Sequence, residues 1–226
     1  MIGQSADKSY AFLLGVYLGD GYVHESGAFT LTTIDLDFAE AVKAAFESLG
    51  VGAKISEPRQ DVRFSKSRPY FNLHTQVHPL CQRFVEETAR KQRIPEWVPV
   101  ANSDLRKQFV IGVMDSEGFV AKVKTPGPHT NRNYCMGYKS CDVWVPDLIK
   151  IMESVGLRVG KISQEVPRKA HYKVPTRFNV KMQSWVDSGM RFNISRKQAR
   201  VDEWASTPAY VNRSRHPRRL ISETTR

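Results

Sequence analysis

Cysteine is scarce in this chain, and the little there is forms no pattern. Cys81, Cys135 and Cys141 are odd in number and match no zinc-ligand spacing. That excludes a disulfide framework and a cysteine-held structural zinc, and points to free thiols in a reducing compartment. His74 and His78 stand four apart, but no Cys or carboxylate nearby completes a metal set. Long apolar runs are missing as well. The best candidates, 10–18 and 109–114, fall short of the roughly 20 residues of a membrane span. Segment 10–18 resembles a signal-peptide core, yet Asp20 closes it and no small-residue cleavage site follows. An internal copy at 109–114 makes export a poor explanation of either. The expectation is a soluble, intracellular protein without a membrane partner.

Acid is also in short supply: 23 Asp and Glu against 34 Lys and Arg give a formal charge of +11 over 226 residues. Such an excess calls for a polyanionic partner. The basic residues are spread along the chain instead of lining one amphipathic helix, which favours nucleic acid over an anionic membrane surface. The length allows one domain or two of roughly 100 residues each.

What the chain has in abundance is self-similarity. The stretch LLGVYLGDG at 13–21 is answered by VIGVMDSEG at 110–118. Glu47-Ser48-Leu49-Gly50-Val51 returns as Glu153-Ser154-Val155-Gly156-Leu157, and Lys54-Ile55-Ser56 as Lys161-Ile162-Ser163. Phe71-Asn72-Leu73 returns as Phe178-Asn179-Val180, and Arg90-Lys91-Gln92 as Arg196-Lys197-Gln198. The offset is 97 residues at the first pair and 106 or 107 at the later ones. The halves are therefore in register apart from one insertion, placed in the Pro/Gly/Asn-rich stretch 125–133. This divides the chain into a first half at 1–93, a proline-punctuated linker at 94–104, a second half at 105–211 and a basic tail at 212–226 that reads as disordered.

Periodicity gives each half the same order of elements. The first half reads as helix 9–19, strands 22–24 and 29–33, helix 38–49, strands 53–57 and 63–75, and helix 79–90. The second reads as helix 105–116, strands 119–124 and 134–140, helix 145–155, strands 160–166 and 176–182, and a helix at 198–204. The expected class is α+β, two pseudo-symmetric αββαββα repeats with antiparallel sheets.

Gly15 and Gly19 in one apolar helix, and Gly112 and Ser116 in the other, strip a stripe of each down to small side chains. Two such helices can pack with their backbones close. Asp20 and Glu117 would then meet at the helix ends. Adjacent carboxylates stay ionised most easily with cations between them, and hard oxygen ligands on a phosphate-seeking surface suggest magnesium. Metal-assisted phosphodiester hydrolysis is the chemistry that uses such a pair.

The paired motifs resemble the signature of LAGLIDADG homing endonucleases in their single-chain, two-repeat form, and the resemblance extends to about residue 205. It implies saddle-shaped sheets on double-stranded DNA with the motif helices at the interface. It also implies a monomer that cuts both strands of a long asymmetric site across the minor groove, leaving short 3′ overhangs. Such enzymes are usually encoded in introns or inteins. Carried over, Asp20 and Glu117 are the catalytic, metal-binding acids, sharing two or three magnesium ions, and the carbonyls of Gly19 and Ser116 complete the shell. Lys91 and Lys197 are the candidate basic residues beside each scissile phosphate. Asp115 occupies a motif slot that serves helix capping or packing in the family, so it receives no chemistry. Alternatives on the same fold are a group I intron maturase, with host intron RNA as partner, and a non-cleaving DNA-binding regulator.

Polar residues at alternate strand positions are the candidate DNA contacts. In the first half these are His24, Thr30, Thr32, Arg59, Arg63, His74 and Gln76. In the second they are Lys122, Lys124, Arg132, Lys139, Arg168, Lys173, Arg177, Lys181 and Gln183. Because the halves differ at these positions, the expected target is asymmetric.

Overall fold

The two motif segments become helices with almost no exposed side. In a computed structural model that describes residues 4–60, 69–123, 134–164 and 174–207, α1 (Gln4–Leu18) and α5 (Ser103–Ser116) pack against each other at the centre. Leu13, Leu14 and Val16 on α1, and Phe109, Val110 and Val113 on α5, are fully buried. A helix apolar on most of its faces must be enclosed by protein, and here each helix encloses the other.

The remaining elements follow the repeat. The first half runs β1 (Tyr22–Val23), β2 (Phe29–Thr33), α2 (Leu36–Ser48), β3 (Ala53–Ile55), β4 (Phe71–Thr75) and α3 (Pro79–Glu87). After the one-turn α4 (Trp97–Val100) and α5, the second half runs β5 (Gly118–Lys122), β6 (Tyr134–Ser140), α6 (Val145–Ser154), β7 (Val159–Gln164) and β8 (Thr176–Val180). It ends with α7 (Met182–Asp187) and α8 (Ser195–Ala205). Each half holds a four-stranded antiparallel sheet, ordered β1-β2-β4-β3 and β5-β6-β8-β7. The inner faces are apolar: Phe29, Leu31 and Leu73 in one sheet, Val120, Met136, Tyr138 and Phe178 in the other. Against them lie the buried stripes of α2 (Phe38, Val42, Phe46) and α6 (Leu148, Ile151, Met152).

The Gly50 and Gly156 repeat has a local cause. Both glycines are left-handed, with φ of 76° and 88°. Each lets the next residue reach back to close its helix, Val51 N to Phe46 O and Leu157 N to Met152 O, both 3.0 Å. This is the αL termination that favours glycine after a helix.

Three expectations need correcting. Helix 79–90 stops at Glu87, because Ala89, Arg90 and Lys91 are all left-handed. The 94–104 stretch is a packed connection: Ile94 and Val98 are buried and Trp97 donates to Glu87 Oε2 at 2.9 Å. The last strand ends at Val180, and residues expected to continue it open α7 instead. Arg63, Lys124, Arg132, Arg168, Lys173 and the 212–226 tail lie outside the described residues. Among the described residues no helix is long and apolar enough to cross a membrane.

Candidate active site

The glycine stripes bring the two motif helices into backbone contact. A Cβ on Gly15 would stand 2.3 Å from Phe109 O, one on Gly112 2.2 Å from Phe12 O, and one on Gly19 2.4 Å from Ser116 Cβ. No side chain larger than hydrogen fits at these three positions. The contact continues to the helix ends, where a Cβ on Gly19 would also stand 3.4 Å from Glu117 Cγ, and each helix closes on itself through Gly21 N to Val16 O at 2.9 Å and Glu117 N to Val113 O at 3.0 Å. Asp20 and Glu117 emerge there together, Asp20 with an exposed side chain and Glu117 half-buried.

Their proximity appears in their ionisation. Burial raises the Glu117 pKa to about 7, and repulsion from Asp20 and Asp142 adds to it, against the pull of Lys91 and Lys197. Asp20 is also raised by desolvation, since its open side faces a cleft and not bulk water; Lys197 and Lys91 oppose the shift. The cleft, of about 470 Å³, includes Asp20, Asp35, Tyr70, Ser116, Arg196 and Lys197 in its lining. Tyr138, fully buried behind this cluster, has a hydroxyl without a hydrogen-bond partner and a raised pKa, mainly from burial.

The structure brings both candidate lysines to this place. Lys91 Nζ donates to Gly19 O at 2.7 Å and lies 5.2 Å from the centre of the Tyr17 ring. The Gly19 carbonyl, expected to face a metal, thus already holds an ammonium. Lys91 sits on three consecutive left-handed residues with φ of 47°, 55° and 67°. Each such non-glycine residue costs about 1 kcal/mol or more. Buried Thr88 steadies the turn, its Oγ1 donating to Phe84 O at 2.7 Å and accepting from Lys91 N at 3.1 Å. Lys197 instead rides on the first turn of α8, 3% exposed, and donates to Met114 O at 2.9 Å and Asp115 O at 2.6 Å. Burial lowers its pKa to about 8, while the nearest acids, Asp115 first, oppose the shift. Lys91 is lowered too, with desolvation opposed by Asp142, Asp20 and Glu117.

Asp115 is 1% exposed and accepts from Asn193 N (3.2 Å), Asn193 Nδ2 (2.9 Å) and Ile194 N (3.4 Å). Burial raises its pKa to about 6. It ties the end of α5 to the segment that opens α8.

Strand alternation sorts the candidate nucleic-acid contacts. Thr30, His74 and Lys54 stand in one cross-strand row with exposed Tyr22, and Thr32 in the next, donating to Asn72 Oδ1 at 2.7 Å. His24 follows β1, its ring edge-on to Tyr22 at 4.9 Å. Gln76 is exposed just past β4, and Arg59 bridges Tyr70 beside the sheet. In the second sheet Lys139, Arg177 and Ser163 form a row, with the Arg177 guanidinium 5.2 Å from the Phe119 ring centre. Three candidates fall elsewhere. Lys122, exposed at the end of β5, pairs with Tyr134 in the register of inward-facing Val120, its ammonium 5.9 Å from the Tyr134 ring. Gln183 is on α7 and donates to Asp187 Oδ1 at 2.7 Å, and exposed Lys181 precedes that helix.

Reading the sequence alone passes over Asp35, Asp142 and Arg196. The signal was present: Thr33 and Asp35 end one strand as Ser140 and Asp142 end its counterpart, at the 107-residue offset of Phe71 and Phe178. In both, the acid's own N–H bonds the preceding hydroxyl, at 3.1 and 3.3 Å. Asn72 and Asn179 occupy equivalent positions on β4 and β8, paired with Thr32 and Gly137.

Residues 7–79 match the family model of the LAGLIDADG-like domain. No curated protein matches the sequence. Among solved structures, I-DmoI in complex with DNA and Ca is similar at a TM-score of 0.50 and 14% identity, over 94% of this chain and 100% of that one. Full-length DUF199/WhiA from Thermatoga maritima is similar at 0.52 and 14%, over 95% of this chain and 66% of its own. The N-terminal LAGLIDADG domain of DUF199/WhiA gives 0.52 and 13%, over 83% and 81%. Residues 7–79 thus carry the sequence of a LAGLIDADG-like domain, and the fold of these solved structures extends over most of the chain.

Proposed function

We propose that this protein is a site-specific DNA endonuclease that hydrolyses both strands of a long asymmetric target across the minor groove, with magnesium, and leaves short 3′ overhangs. The observation that carries this reading is the meeting of Asp20 and Glu117 at the ends of two helices in backbone contact, with a buried or half-buried lysine beside each. The similar structure of I-DmoI, named a homing endonuclease, contains DNA and a divalent ion and supports the same reading.

The donor set fits a hard divalent cation: two carboxylates whose ionisation is suppressed by desolvation, with repulsion from Asp20 adding to it at Glu117, a cost that a cation would relieve. Among the described residues no three metal-ligating side chains converge, so phosphate oxygens and water would supply the rest of the shell. When bound, such ions neutralise phosphate charge and favour ionised water. The chain's own contribution is to hold the acids in a fixed pair, to place two ammonium groups opposite them, and to offer polar strand residues such as Thr32, His74, Lys139 and Arg177 to the duplex. Lys197 Nζ, with its pKa near 8, can hold or release a proton close to neutrality.

Asp20→Asn combined with Glu117→Gln should bind target duplex as tightly as the unaltered protein and cut neither strand in magnesium. Cutting at the unaltered rate would remove these acids from the chemistry. A second reading, a DNA-binding protein that does not cut, is favoured by the likeness to DUF199/WhiA, which shows that the fold is not confined to proteins named as endonucleases. Binding by the unaltered protein without cleavage in magnesium or manganese would establish that second reading.

A further inference from the structure

Residues 193–197 are held by carboxylates at nearly every step. Asp115 takes both N–H groups of Asn193 and the backbone N–H of Ile194. Asp37 accepts from Ser195 N. Asp35 takes Arg196 through two bonds, Nε at 2.6 Å and Nη2 at 2.7 Å, with the Asp35 side chain 11% exposed. Paired bonds from a guanidinium to a carboxylate fix orientation as well as distance. Lys197 is the next residue. Two of the three carboxylates come from the other half of the chain, reaching across the axis from the N-cap and first turn of α2.

The opposite side of the axis lacks all three ties. Leu18 stands where α5 has Asp115, and buried Trp144 stands at the offset position of Asp37. Asp142 matches Asp35, but its partner is Ser140 Oγ, and the matching arginine, Arg90, is exposed. Among the described residues no ion pair joins Asp142 to Arg90. Lys91 is held by a left-handed turn steadied by Thr88, one bond to Gly19 O and the face of Tyr17, and among the described residues no carboxylate is bonded to its neighbours in the way Asp35, Asp37 and Asp115 are on the other side.

We propose that Asp35 and Asp37 are cross-half positioning residues for Lys197, so that the two cleavage centres are unequal. The centre served by Lys197 is assembled before DNA arrives and cuts its strand first; the centre served by Lys91 follows. The inference rests on the endonuclease reading above. A group held in place before the reaction needs no reorganisation during it, which is why the clamped side leads.

The test follows the two strands of one duplex separately, using a site recovered by cleavage selection from a randomised library. Lys197→Met and Lys91→Met identify the strand that depends on each lysine. Asp35→Asn should slow the Lys197-dependent strand about tenfold and the other less than about twofold, reversing the order of nicking. Asp35→Glu should restore most of the original order. A change in the ratio of strand rates is something that general loosening of the fold would not produce. Independently of activity, Lys197 in the DNA-free protein should resist reductive methylation and become reactive in Asp35→Asn. If Asp35→Asn folds poorly, Arg196→Lys keeps the charge, loses the paired geometry and should give the same bias. Equal slowing of both strands, or no change in either, would overturn the inference while leaving the endonuclease reading intact. Failure of the unaltered protein to yield any cut site would overturn both.

Discussion

Arg90-Lys91-Gln92 and Arg196-Lys197-Gln198 are the same three residues, and the fold presents them in opposite ways. One triplet follows a helix and turns left-handed; the other opens a helix. Both nevertheless bring an ammonium to a carbonyl of a motif helix, Gly19 O in one case and Met114 and Asp115 O in the other. The shared element is where the charge arrives, not the backbone that delivers it. The difference lies in constraint: one lysine follows a segment held by carboxylate bonds, and the other is held by a strained turn, a carbonyl and the face of an aromatic ring.

The largest change would abolish the comparison by parting the helices that both lysines serve. Gly112→Val places side-chain carbon where Phe12 O already stands and should cost about 3 kcal/mol or more, lowering Tm by about 10 °C. Thermal unfolding close to that of the unaltered protein would mean that the helix contact tolerates expansion.

A smaller effect separates the acids of the two sides. Because the folded pKa of Glu117, about 7, exceeds its ordinary 4.5, the folded state keeps this proton longer than the unfolded state does. The metal-free protein should therefore lose stability relative to Glu117→Gln as pH rises from about 4.5 to about 7, by about 2 kcal/mol after allowance for solvent screening. Added magnesium should reduce that loss. Parallel stability curves for the two proteins across this range would refute the assignment.

The smallest effect sharpens the contrast of backbones. Ala89→Gly relieves one left-handed residue and should stabilise the fold by about 0.5 kcal/mol, even though glycine is freer when unfolded. A loss of stability in chemical denaturation would show that the Lys91 turn is not strained.

Much of this was legible in the chain before any coordinates. The small-residue stripes of 15–19 and 112–116 predict close helices because an i, i+4 spacing has only one face to occupy, and both acids lie where those helices end. The strands at 29–33 and 134–140 lie within the same bounds as their sequence patterns. Ends were less legible where a neighbour decides them: helix α3 stops early to make the Lys91 turn, and α7 interrupts what alternation alone reads as strand. Lys122 shows the limit at a single residue, since its polarity suggests an outward face, yet its register is that of inward-facing Val120 and it stays exposed only because the strand ends there.

By itself, then, the sequence determined the two halves, the order of their elements and the meeting of Asp20 with Glu117, because these depend on periodicities and repeats within short windows. Tertiary structure alone decided that Asp35 grips Arg196 across 161 residues, that Asp115 supports the Lys197 segment, and that Asp142 has no such arginine. A contact between halves carries no spacing that a chain can display. It exists only once the glycines have let the two helices close.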